Sequence, residues 1–80
     1  MSRITVLDIV LVDAVYALIC ASGDNGIQRK DLFVEINKTH DVTRDLLDNI
    51  AFYLRINRGV VFVSRRGFFK DRQAYDRRKI

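Results

Sequence analysis

The side chains best equipped for chemistry in this sequence are guanidinium groups, and two of them, Arg65 and Arg66, stand side by side in Ser64-Arg65-Arg66-Gly67. The runs on either side, Val60 to Val63 and Phe68 to Lys70, are β-branched and aromatic, so the four residues read as the tip of a hairpin in which Gly67 accommodates the turn. A guanidinium is always charged and donates in a planar fork that matches phosphate oxygens. On a stiff ribbon such a pair can clamp phosphates or reach into a minor groove. Just upstream, Arg44 and Asn49 lie on a helical stretch, where a guanidinium can pair with guanine and a side-chain amide with adenine. Arg29, Lys30, Thr43, Arg55 and Lys70 complete the polar set expected to touch a duplex. Asp41, Asp45 and Asp48 are interleaved with them and repel phosphates unless they turn away or are neutralised by Arg44 or Arg55 one turn off.

Other chemistries find little support. His40 is the single histidine, with no cysteine near it, and its place between two helices marks it as a solvated turn residue rather than a metal ligand. Asp45 and Asp48 lie one helical turn apart, but carboxylates on an exposed helix are ordinarily a solvated face and not an acid/base couple. Cys20 is most simply a small apolar residue of the first helix. With no glycine-rich phosphate loop and no nucleophile motif, the chain reads as a non-enzyme without cofactor or metal. Phe62, Phe68 and Phe69 could stack on bases, but the simpler expectation packs Phe62 and one of the other two against the helix before them.

Four elements must position these groups. The apolar run Ile4 to Ala21 is interrupted by Asp8 and Asp13 and lacks a convincing cleavage site, so it reads as a soluble helix rather than a leader or membrane segment. At about 100° per residue, Leu7, Val10, Leu11, Ala14, Leu18 and Ala21 form a core face. Ile9, Val12 and Tyr16 then form a second apolar stripe, shared with Cys20, and a helix apolar on two faces is buried on two faces. Its cover is either the C-terminal tail or a second copy of the chain, and the latter makes Ile9, Val12 and Tyr16 a homodimer interface. Ser22-Gly23-Asp24-Asn25-Gly26 ends this helix. A second, short helix runs from about Gln28 to Asn37 with Leu32, Phe33 and Ile36 inward. A third begins at Asp41 or Thr43, either of which can cap it, and carries Val42, Leu46, Leu47, Ile50 and Leu54 or Tyr53 as its stripe. The hairpin follows Gly59. Residues 1–70 thus make one domain and 71–80 a basic tail, either a frayed helix or disordered.

Charge is divided unevenly along the chain. Through residue 50 there are five basic and eight acidic residues, and from residue 51 onward nine basic and two acidic, so the positive excess lies in the last thirty residues. That is the footprint of a phosphate-binding surface. The composition, 49% apolar and 30% charged, belongs to a globular domain. A single cysteine excludes an internal disulfide and fits a reducing, cytoplasmic setting.

The order helix, turn, short helix, turn, helix, hairpin resembles the winged helix-turn-helix superfamily from about Ile4 to Lys70. The resemblance is carried by the Gly26-Ile27 stub, where the family often has a short strand, by Leu32 and Ile36 as an inward pair, and by Leu54 followed by Arg58-Gly59-Val60-Val61. It implies an α+β, mostly helical fold of three helices with a C-terminal β-hairpin wing, and a third helix laid in the major groove of double-stranded DNA. Where the family commonly presents basic and amide side chains on that helix, this chain has three aspartates beside Arg44 and Asn49. Two functions are therefore expected: a DNA-binding transcriptional regulator, or an interaction module of the same fold meeting a protein partner through its acidic third helix and the stripe of the first.

Overall fold

Thr43 sets the start of the longest helix: its Oγ1 accepts the Leu46 backbone N–H at 3.1 Å, and α3 runs Arg44–Asn57. Leu47, Ile50, Ala51 and Leu54 recur at spacings of three and four and are buried, while Leu46 and Tyr53 are half-buried beside them. Gly59 stops the helix with φ +74°, a left-handed conformation in which glycine carries no Cβ penalty. The structure, a computed structural model, describes residues 9–79, and side chains as far as Arg77. Leu7, assigned above to a core face, lies outside the described residues.

α2 spans Arg29–Asn37 and buries Leu32 and Ile36. Asn37 fixes the turn to α3 with both ends of its amide: Nδ2 donates to the Phe33 carbonyl and Oδ1 accepts the Val42 N–H, each at 2.9 Å. One side chain thereby satisfies two main-chain groups and sets the angle between the helices.

The first helix, α1, covers Ile9–Ala21, and its phase differs from the expected one. Leu11, Val12, Val15 and Ile19 are the buried residues, whereas Val10, expected in the core, is 66% exposed. Val12 has no exposed surface and Tyr16 is half-buried, so Ile9, Val12 and Tyr16 do not form a common outer surface. Arg58 covers part of that side, its guanidinium 5.1 Å from the Tyr16 ring centroid and 2.7 Å from an Asp13 oxygen. The reason lies in the composition: in IVLVDAVYALICA nearly every position is apolar, so periodicity cannot select a face.

Antiparallel strands β1 (Val61–Val63) and β2 (Gly67–Phe69) pair Val61 with Phe69, Phe62 with Phe68 and Val63 with Gly67. The stub residue Ile27 bridges β2 from the other side, exchanging two main-chain hydrogen bonds with Phe68 at 2.9 and 2.7 Å. β2 is thus the centre of the small sheet. Gly67 is required there because a Cβ would collide with the Ile27 carbonyl. Phe68 packs inward as expected of one of the pair, but Phe69 is buried as well and Phe62 stays 40% exposed against the Phe68 ring, because β2 is covered on both faces. Phe68 joins the main core, while Phe69 meets Tyr75 edge-on at 5.3 Å.

Tyr75 belongs to α4, Arg72–Lys79, so of the two alternatives for the tail the structure takes the helix. Asp71 Oδ1 accepts the Ala74 N–H at 2.7 Å at its start, Ala74 is fully buried, and Arg77 forms a two-bond ion pair with Asp24 at 2.8 and 2.9 Å. No helix among the described residues is long and apolar enough to cross a membrane.

Candidate nucleic-acid interface

The exposed start of α2, the first turn of α3 and the hairpin enclose a groove of about 370 Å3. Lys30 and Arg29 reach it from α2, Arg44 from α3 and Arg65 from the hairpin tip, over a floor that includes Phe33 and Phe62. Three elements separated by up to 36 positions in the chain therefore bring four cations together. The β2–Ile27 bridge ties the hairpin to the start of α2, and the Asn37 turn sets α2 against α3.

These cations are not equivalent. Arg29 is bound to Asp48 of α3 by Nε–Oδ1 and Nη2–Oδ2 hydrogen bonds of 2.8 and 2.6 Å. Asp48 is thus neutralised across the helix pair and not by Arg44 or Arg55 along its own helix, as the spacing alone had implied. Arg44 lies 5.0 Å from the Phe33 ring centroid, a cation–π contact that leaves its charge uncompensated. Among the described residues Arg29, Lys38, Arg58, Arg72 and Arg77 hold carboxylates, whereas Lys30, Arg44, Arg55, Arg65, Arg66 and Lys70 hold none. Asp41 and Asp45 are exposed at the start of α3.

The hairpin tip is built under strain. Arg66 N–H donates to the Val63 carbonyl at 3.0 Å, which makes 63–66 a closed turn, and Arg65 occupies its third position at φ +70°. That is the position where glycine or asparagine is favoured, and arginine there costs about 1–2 kcal/mol. Both Arg65 and Arg66 are exposed, and both line a second hollow with Gln28 and Asp31 on the other side of the stub.

The remaining candidates divide. Thr43 Oγ1 accepts the helix-cap hydrogen bond from the Leu46 N–H and is otherwise exposed. Asn49 is exposed on α3 but does not line the groove, and Lys70 is half-buried at the end of β2. Arg55 faces a different hollow, between α3 and β1. Two features escaped the sequence reading. Phe33 forms part of the groove floor and not only of the core, and the outward face of α3 turns apolar in its second half, where Phe52 is 60% and Ile56 64% exposed. The signal for the second was present: neither residue falls on the core stripe of α3.

Elsewhere, the Tyr16 phenol is held above its ordinary pKa, first by its hydrogen bond with Cys20 and against the pull of Arg58. Among the described residues no three His, Cys, Asp or Glu side chains converge. Searches against protein-family models, curated proteins and solved structures find no match for this chain.

Proposed function

We propose that this is a winged-helix domain that binds double-stranded DNA as a small transcriptional regulator. The observation that carries the reading is the convergence of Lys30, Arg44 and Arg65, each without a carboxylate partner among the described residues, on one groove rim. Phosphate oxygens are the ligands that such a rim suits, because forked and ammonium donors spaced along a groove match a charged backbone. The stub strand bridged to the hairpin supports the resemblance, as does a third helix that begins at the groove. Base reading in this scheme is sparse and falls to Arg44 and Asn49.

Titration of the protein with random duplex at two salt concentrations tests the proposal. Log affinity should fall with log salt by roughly 0.9 per neutralised phosphate, which for the three rim cations is a slope near −3. Weak, salt-insensitive binding would reject it. A second reading, a protein-interaction module, is favoured by one observation: the apolar surface made by Phe52, Ile56 and Phe62, which duplex DNA does not require.

A further inference from the structure

Beside the cationic groove, with Phe62 shared between them, the hairpin has an apolar flank that carries an open backbone edge. Phe52, Ile56, Val61 and Phe62, with Arg55, line a hollow of about 320 Å3 between α3 and β1. Phe62 itself is 40% exposed, with its ring 4.8 Å from that of Phe68. Phe68 gives both its N–H and its carbonyl to Ile27. In an antiparallel ladder successive residues present these groups to opposite sides, so Phe62 and Phe68 are a non-hydrogen-bonded pair. The N–H and carbonyl of Phe62 therefore point away from β2, at an edge that no other strand covers among the described residues.

We infer that this edge and hollow bind an extended peptide of a partner protein, one whose apolar centre is flanked at both ends by acidic side chains. An added strand supplies main-chain hydrogen bonds to Phe62, and its alternate side chains fall into the hollow against Phe52 and Ile56. Charge selects the acidic partner. Arg55, which has no carboxylate among the described residues, lines this hollow and the neighbouring one, and Arg65 and Arg66 stand at the far end of β1. Both ends of the strand are positive. A second copy of this chain is disfavoured for the same reason, because antiparallel pairing of two β1 edges sets the Arg65 and Arg66 tip of each against the Arg55 end of the other. The open backbone edge favours a peptide over single-stranded nucleic acid, because only an added strand pairs with both the N–H and the carbonyl of Phe62.

The test uses the full chain, isotope-labelled for amide NMR, and two capped probe peptides, Glu-Val-Phe-Val-Glu and Lys-Val-Phe-Val-Lys. The acidic peptide should shift amides of the α3 end and β1 and slow exchange of the Phe62 N–H. The lysine peptide should bind about fivefold or more weakly, the size expected of one or two exposed ion pairs. Arg55→Glu should invert the preference. Ile56→Ser, a change on an exposed face that leaves the core intact, should weaken the acidic peptide. Equal affinity for the two peptides, shifts without slower Phe62 exchange, or no shift at all overturns the inference. So do a free protein that is already dimeric with Phe62 protected, and tighter binding of a short oligothymidylate to the same amides.

Discussion

Arg29 and Asp48 join α2 to α3 through two parallel hydrogen bonds, and each removes the other's charge from the groove. Both side chains remain half-exposed, so the pair contributes about 0–1 kcal/mol to stability. Its larger effect is electrostatic masking. Asp48→Asn should leave the fold intact, release Arg29 and tighten DNA binding, with a salt slope steeper by about 0.9. Unchanged DNA affinity in this variant, together with loss of a protein partner, would favour the interaction module.

Arg65 separates stability from binding. Arg65→Gly should relieve the left-handed strain and raise stability by up to about 1 kcal/mol, equivalent to roughly 4–8 °C in Tm for a domain of this size. It should also weaken binding to all duplex sequences about equally. Arg65→Ala should weaken binding to the same degree without the thermal gain. Equal melting temperatures for the two variants would show that the turn is not strained.

Val12 and Ile9 are neighbours on α1 with opposite fates. Val12→Glu places a carboxylate in the core and should cost more than about 4 kcal/mol, enough to unfold a small domain. Ile9→Glu, at an exposed site, should change stability by less than about 0.5 kcal/mol. Circular dichroism melts of the two variants check this, and a folded Val12→Glu protein would restore the outer stripe.

Asp24 gives α4 a dependence on acid. The hydrogen bonds from Arg77 hold its carboxyl below the ordinary carboxylate range, and the Arg77 guanidinium is raised in turn. A carboxyl depressed in the folded state stabilises at pH values above its unfolded pKa, and that stabilisation is lost as pH falls through its folded value. Asp24→Asn should therefore loosen α4 at neutral pH, seen as faster amide exchange at Ala74 and Tyr75. The difference from the unmodified protein should vanish as pH falls through the lowered folded-state pKa of Asp24.

What could be read from the residues depended on contrast. The α3 stripe alternates with charged residues and is announced by Thr43, so its inward face follows from spacing, and the hairpin is framed by Gly59 and Gly67. The α1 face had no such contrast. The α4 helix was hidden because its stability comes from Ala74 beneath the sheet and from Asp24, 53 positions away, and neither is a local signal. The groove was legible as a set of cations but not as a place, because which arginines are masked depends on pairs such as Arg29 and Asp48 that meet only after α2 and α3 pack.

The two main-chain bonds between Ile27 and Phe68 leave the hairpin little freedom relative to α2. A ribbon tethered only at its base must be immobilised by its ligand at an entropic cost. Here Arg65 and Lys30 belong to one rigid frame, so that ordering has already occurred during folding. Duplex association should accordingly show the modest heat-capacity change of docking between preformed surfaces, without the larger signature of a segment that folds as it binds.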